Sequence, residues 1–371
     1  MKAVAVFPAE RRFAVIDHPE PPLTSPTGVK LRMLDVGICG TDKEIVSFEY
    51  GTPPAGSDYL VIGHESLGEV VETGASVTRL KKGDLAVPTV RRPCDVPGCI
   101  ACRAGRQDFC YTGKYTERGI NRRHGYMAEL VVEEEQYINP VSGSLRDVGV
   151  LVEPLTIAEK GISQLWQVQQ RLPWALPTEP GEPPAHGRNA LVLGGGPVGL
   201  LGAMKLRIEG FSTTVYSRTP AASDLAGLVT SFGAKFVPAE TTPVADLAAQ
   251  IPNIDVVYEA IGASSLAFEV IKELGTNGVF IFTGVPGRKA PIDVDTDAIM
   301  RDMVLKNQIV FGTVNASVGH FAEAISDLGR FMERWPFAVR TLISHRFPID
   351  RADEPLSGKA GGIKNVIAIA S

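Results

Sequence analysis

The stretch Leu191-Val192-Leu193-Gly194-Gly195-Gly196-Pro197-Val198-Gly199 constrains this chain more than any other part of its sequence. An apolar run ends in glycine, and glycines then recur at the first, third and sixth positions of a G-x-G-x-x-G spacing. Each glycine does something no larger residue could: Gly194 admits a tight turn, Gly196 lets backbone approach a pyrophosphate, and Gly199 lets a helix pack closely on the preceding strand. Such a spacing is weak by itself, and its surroundings decide. Strand and helix patterns alternate around it: strand over 190–193, helix over 198–209, strand over 213–216, helix over 221–232, strand over 255–258, helix over 266–274 and strand over 279–282. This alternation predicts a parallel, doubly wound sheet. The helix start offers unpaired N–H groups and positive potential to phosphates, so Gly194, Gly196, Pro197, Val198 and Gly199 are expected to bind a dinucleotide.

A site built for NAD places an acid about 20 residues after the first glycine, on the ribose 2′-hydroxyl. Here that region reads Thr213-Thr214-Val215-Tyr216-Ser217-Arg218, and the first acid beyond it is Asp224. A guanidinium grips a 2′-phosphate that an acid would repel. Ser217 and Arg218 are therefore expected to favour NADP over NAD.

The first 150 residues follow a different pattern, with strand signals at 2–6, 29–33, 69–71 and 85–87, and read as a small, mostly β domain. Five prolines between Pro173 and Pro184 exclude helix and central strand and mark the expected domain connection. After about residue 314 the alternation fades through a helix over 321–334 to an apolar stretch at 366–370. A length of 371 residues suits two domains at about 150 residues each. The net charge of −5 offers no footprint for nucleic acid, and no basic run suggests a membrane surface. Residues 190–204 are uncharged until Lys205 but too short and too broken by glycine and proline to span a bilayer. The N-terminus leads into Pro8 and Glu10-Arg11-Arg12 rather than a secretory apolar segment, so a cytoplasmic location is expected.

In a reducing compartment clustered cysteines hold metal more often than they form disulfides. Cys94, Cys99, Cys102 and Cys110 fall within seventeen residues and supply the four thiolates of a closed zinc site. Cys39 stands apart in Gly37-Ile38-Cys39-Gly40-Thr41-Asp42, ahead of Gly63-His64-Glu65. Catalytic zinc takes three protein ligands of mixed type and keeps one position open. A third ligand is available at Glu153, pinned before Pro154 at an expected helix start, although such an acid taken alone reads as a helix cap.

Together these residues resemble the zinc-dependent medium-chain dehydrogenases, and within them the glucose 1-dehydrogenases described from archaea and some bacteria. Gly105-Arg106-Gln107-Asp108-Phe109-Cys110, Thr116-Glu117-Arg118-Gly119-Ile120, His124-Gly125-Tyr126-Met127 and Gly312-Thr313-Val314-Asn315 carry the more specific likeness. The resemblance implies a GroES-like, β-rich catalytic domain over 1–186 with a structural zinc lobe at 94–110, a Rossmann domain over 187–313, and a return to the catalytic domain over 314–371. It implies that Cys39, His64 and Glu153 hold catalytic zinc, with Glu65 as an alternative or water-bridged ligand, giving two zinc ions per chain. Thr41 matches a hydroxyl that contacts the reacting oxygen. Glu117 and Asn315 match residues on sugar hydroxyls, with Asn315 also near the nicotinamide and Glu153 near substrate.

The implied reaction is oxidation of an aldose, D-glucose first, at C1 to the lactone with NADP or NAD. The implied partners are a sugar and further copies of the chain, as homodimer or homotetramer. Two departures stand out: four residues rather than the usual two separate Cys94 from Cys99, and Ile157 occupies a position where some glucose enzymes carry a sugar-binding acid. A related polyol or alcohol dehydrogenase is the near alternative, and a catalytically inactive NADPH-binding protein the distant one.

Overall fold

The computed structural model describes residues 1–173, 182–220, 223–287 and 291–370. They form two compact units, one of Met1–Thr156, Asn315–Arg330 and Leu342–Ser371, the other of Ile157–Val314 and Phe331–Thr341.

The first unit is built on the strand Gly28–Gly37. Alternating Val29, Leu31 and Met33 are buried against exposed Arg32, and beyond Met33 every residue to Gly37 is buried. The change from alternation to continuous burial marks a strand that passes from a half-open face to the middle of a sheet. Its neighbours are Glu65–Thr73 on one side and Leu130–Glu134 and Lys364–Ala368 on the other. Register sets Gly37 opposite both Glu65 and Val366. A Cβ on Gly37 would stand 2.2 Å from Glu65 Oε2, so only glycine leaves room for that carboxylate. A smaller sheet joins Arg91–Arg92, Thr116–Arg118 and Arg122–Arg123, with Arg91 opposite Glu117.

The second unit carries a parallel sheet in the spatial order Lys235–Pro238, Ser212–Ser217, Asn189–Leu193, Val256–Glu259, Val279–Phe282, Ile309–Gly312. The order reverses beside Asn189–Leu193, which opens a crevice at the carboxyl ends of the strands. Gly194 follows with φ 117°, donates its N–H to Tyr216 O at 3.0 Å, and leads into the helix Pro197–Glu209. A Cβ on Gly199 would lie 2.3 Å from Gly194 O, so the third glycine is required by backbone packing. Two strands of this sheet, Lys235–Pro238 and Ile309–Gly312, carry no strong sequence signal, although they are no shorter than Val256–Glu259 and Val279–Phe282.

The chain passes between units at residues 156 and 157, inside the helix Val152–Gln169, and not at the proline-rich stretch expected to connect them. Residues 174–181 of that stretch lie outside the described residues. From Ile157 onward the helix packs on the parallel sheet: Gly161 faces Ile281 and Tyr258, Lys160 Nζ donates to Val314 O at 2.9 Å, and Trp166 stacks on Phe211. Prolines mark where regular structure stops, whereas side-chain contacts decide which core a helix serves. For the same reason Phe331–Thr341 joins the second unit, where Trp335 meets Phe232, although the whole of 314–371 was expected to return to the first. The helix expected over 221–232 is observed as Asp224–Ser231, residues 221 and 222 lying outside the described set.

Candidate active site and metal centres

Cys39 follows the central strand and stands at the start of the helix Gly40–Val46, whose first turn is fixed by Asp42. The fully buried Asp42 carboxylate accepts from Cys39 N at 2.9 Å and from Gly63 N at 3.2 Å. One acid thus ties the Cys39 turn to the Gly63-His64-Glu65 turn. His64 Nδ1 lies 3.5 Å from Asp42 Oδ1, an ion-pair separation without hydrogen-bond geometry, and is a buried ring nitrogen without a hydrogen-bond partner. Burial opposes charge on His64, but the Asp42 carboxylate and the Cys39 thiol outweigh it and hold its pKa well above the ordinary histidine value.

The ligand atoms of Cys39, His64 and Glu65 all lie within 4.8 Å of one another. Glu65 is also held by Lys364, whose Nζ donates to both carboxylate oxygens at 2.7 and 2.5 Å and to Ile38 O at 3.1 Å. Burial disfavours the Lys364 charge, yet Glu65 and Cys39 raise its pKa. Glu153 opens the helix Val152–Gln169 and is buried, outside the convergent trio. Burial pushes its pKa up to about 7, with Glu65 and Asp42 adding to the rise and His64 and Lys364 opposing it. Thr41 Oγ1 is 3.9 Å from Cys39 Sγ. A thiol, an imidazole with one unpartnered nitrogen and a carboxylate form a donor set that suits zinc with an open position.

The other four cysteines converge as well, their sulfurs within 4.8 Å of one another and none in a disulfide. The long gap after Cys94 closes through a turn in which Cys99 N donates to Val96 O at 3.0 Å. Cys99 and Cys110 Sγ are 3.9 Å apart, near the edge of about 3.8 Å that Zn–S bonds of about 2.3 Å set in a tetrahedron. Burial pushes Cys102 up to about 12, whereas Cys110, in spite of burial, is held down to about 6 by hydrogen bonding to Thr112. The four thiols fit a closed zinc site.

Glu117, on the strand Thr116–Arg118, is buried, and its Oε1 accepts from Asn315 Nδ2 at 3.3 Å and from Arg91 Nε and Nη2 at 3.0 and 2.9 Å. Asn315 has a left-handed backbone, φ 59°, which asparagine tolerates better than most side chains. In the second unit, buried Ser217 ends its strand with Oγ 3.1 Å from where a Cβ on Gly195 would stand, and exposed Arg218 follows it. Pro197 and Val198 occupy the first turn of the helix that follows Gly196. Sequence reasoning gave no role to Asp42, Lys364 or Glu259. Asp42 carried a signal, an acid three residues after a helix start. Glu259 accepts from the N–H groups of Ile261 and Gly262 at 2.8 and 2.7 Å and so shapes the loop at the carboxyl end of its strand. Among the described residues no helix is long and apolar enough to cross a membrane.

Residues 146–369 match the family described as "Glucose dehydrogenase C-terminus", and residues 25–143 match "Alcohol dehydrogenase GroES-like domain". The chain is 39% identical to a glucose 1-dehydrogenase of Methanocella arvoryzae over 100% of both proteins. It is 37% identical to one of Thermoproteus tenax over 100% of this chain and 99% of the relative. Among solved structures, that of Haloferax mediterranei glucose dehydrogenase in complex with NADP, Zn and gluconolactone superposes with a TM-score of 0.87 at 32% identity, each chain covered completely.

Proposed function

The chain belongs to the glucose dehydrogenase family of zinc-dependent medium-chain dehydrogenases, and on that footing we propose that it oxidises an aldose, D-glucose first, at C1 to the lactone with hydride transfer to NADP. The observation that carries this reading is the meeting of Cys39, His64 and Glu65 in a chain similar over its full length to glucose 1-dehydrogenases. Cys39 and His64, with Glu65 or Glu153 as the acid, hold the catalytic metal; Cys94, Cys99, Cys102 and Cys110 hold a second ion. When bound, zinc supplies Lewis-acid activation of the C1 hydroxyl and the nicotinamide accepts the hydride. Thr41 relays the hydroxyl proton, accepting it as it passes its own to a nearby carboxylate or water, a role supported by the 3.9 Å separation of its Oγ1 from the Cys39 sulfur. Glu117 and Asn315 orient the sugar hydroxyls. Gly194, Gly196, Pro197, Val198 and Gly199 receive the pyrophosphate, where a helix start stabilises negative charge.

The test is a panel of aldoses, polyols and secondary alcohols with NADP and with NAD, followed by absorbance of the reduced nicotinamide. D-Glucose with NADP is expected to give the highest kcat/KM. Turnover of secondary alcohols with none of glucose would overturn the sugar assignment in favour of an alcohol dehydrogenase.

Ser217 and Arg218 carry the preference for NADP, supported by the exposed guanidinium directly after the second strand. A hydrogen-bonded charge contributes about 1.5–3 kcal/mol, so Arg218→Asp is expected to shift the NADP to NAD efficiency ratio by about tenfold to a hundredfold. An unchanged ratio would rule Arg218 out.

The assembled enzyme is a homodimer or homotetramer. Ile309–Gly312 pairs with only one strand among the described residues, and the preceding helix Thr296–Leu305 leaves Met300, Val304 and Leu305 64%, 71% and 65% exposed. An open sheet edge beside exposed apolar side chains suits association with a second copy. Light scattering should give two or four times 39.7 kDa; a mass of 39.7 kDa would exclude both.

A further inference from the structure

Arg91 has no role in the proposed function, yet two of its nitrogens bond the Glu117 carboxylate, against one from Asn315. It lies opposite Glu117 in the small sheet, and both side chains are almost fully buried. Arg91 Nε and Nη2 converge on the same oxygen, Glu117 Oε1, where Asn315 Nδ2 also ends. Glu117 Oε2 takes no hydrogen bond from the described residues, and it is not among the buried atoms left without a partner, so it keeps lone pairs in reach of a small molecule. A carboxylate with one oxygen saturated and the other bare presents a single acceptor in one fixed direction. Free rotation would exchange the two oxygens and blur that direction.

Arg91 is itself fixed from three sides. Its guanidinium carbon stands 3.7 Å from the centre of the Tyr115 ring, its Nη1 donates to Asp108 O at 3.4 Å, and its backbone O accepts from Gln107 Nε2 at 3.4 Å. Gln107 and Asp108 sit in the short turn Gln107–Phe109 immediately before Cys110. The cysteine lobe therefore anchors the arginine, and the arginine aims the carboxylate. A lysine could balance the charge but could not form the two-pronged contact on one oxygen while stacking on a ring.

We propose that Arg91 is a positioning residue for sugar recognition, which locks Glu117 so that Oε2 alone faces the substrate and which transmits the order of the cysteine lobe to that oxygen. The inference rests on the reading that Glu117 binds a sugar hydroxyl, and the experiment separates the two. Arg91→Lys, which keeps the buried charge balanced, is assayed beside Glu117→Gln and the double variant, with KM and kcat measured for glucose and for the series of monodeoxyglucoses. Arg91→Lys is expected to raise the glucose KM about tenfold, with kcat within about twofold and the KM for NADP unmoved, the scale of one misaligned polar contact. The penalty should vanish for the one deoxy sugar that lacks the hydroxyl Glu117 accepts. In the Glu117→Gln background the lysine substitution should add almost nothing, because residues acting through one contact are not additive.

If Glu117→Gln leaves the glucose KM unchanged, the sugar-binding reading of Glu117 fails. If Glu117→Gln raises KM but Arg91→Lys does not, or its penalty adds fully in the double variant, the positioning role of Arg91 fails on its own. Poor folding of Arg91→Lys, read by near-ultraviolet circular dichroism, would itself count against the proposal, since the conservative charge is meant to preserve the fold.

Discussion

Replacing Cys39 by alanine is expected to lower kcat/KM for glucose about a thousandfold or more while leaving the chain folded. On the proposal that this thiolate helps to hold the catalytic metal, its loss would remove several kcal/mol of charge stabilisation from the transition state, and each 1.36 kcal/mol is tenfold in rate. The fold should survive because the bond from the Cys39 backbone N–H to the Asp42 carboxylate is kept by alanine, and Cys39 is only partly buried. Zinc content should fall from two ions per chain to one, with the four-cysteine lobe still loaded. Circular dichroism must match the parent for the kinetic loss to be read as chemistry. Full activity in a folded Cys39→Ala protein would sink the assigned catalytic site.

The second large effect concerns stability. Glu133 is buried between two guanidiniums, its Oε2 2.5 Å from Arg92 Nη2 and 2.8 Å from Arg118 Nη2, while Oε1 accepts from Glu134 N at 3.0 Å. Arg92 is further bonded to Thr89 and Tyr126, and Arg118 to the backbone of Val132. Burial alone would raise the Glu133 pKa, but the two arginines overcome it and bring it down to about 2. Glu133→Ala would leave two buried cations without their counter-charge, at a cost of about 3–5 kcal/mol.

The pH dependence has a definite sign. Above pH 4.5 both folded and unfolded chains carry the carboxylate, and its stabilisation is complete. Between pH 4.5 and about 2 the unfolded chain takes up a proton that the folded chain still refuses, so the contribution is lost as the pH falls. A depression from 4.5 to about 2 corresponds to about 3 kcal/mol, consistent with the cost of removing the residue. In urea unfolding followed by circular dichroism, the advantage of the parent over Glu133→Gln should be greatest at neutral pH and shrink towards pH 2. A constant difference across that range would show that charge at Glu133 contributes nothing.

What the sequence disclosed and what it concealed divide along the distance over which each contact acts. Gly194, Gly196 and Gly199 were legible because a turn, a close approach and a helix start are all settled within nine residues. Cys94, Cys99, Cys102 and Cys110 were legible for the same reason, and the widened first gap proves to be a local turn. Cys39 and His64 could be singled out by their glycine-rich neighbourhoods and by family likeness, but no local rule says that Asp42 links them. Lys364 was invisible, since its meaning depends on Glu65, 299 residues earlier in the chain. Arg91 was hidden in a plain Arg-Arg pair, where only the register of a short sheet tells which of the two faces Glu117 and which joins the Glu133 cluster. The unit boundary was misplaced because a helix can change cores soon after its first turn without any break in its sequence pattern.

That distance between Lys364 and Glu65 also orders events in time. During synthesis the nucleotide-binding unit, drawn mostly from 157–314, emerges as one continuous piece and can close its sheet as it leaves the ribosome. The catalytic unit cannot. Its central strand Gly28–Gly37 waits for Lys364–Ala368 to pair along its edge, and until then the Glu65 carboxylate lacks the ammonium that balances it. This buried ion pair thus closes only after residue 364 has emerged, and a nascent chain halted before that point would present a cysteine, a histidine and an unneutralised acid to whatever metal the surrounding solution offers.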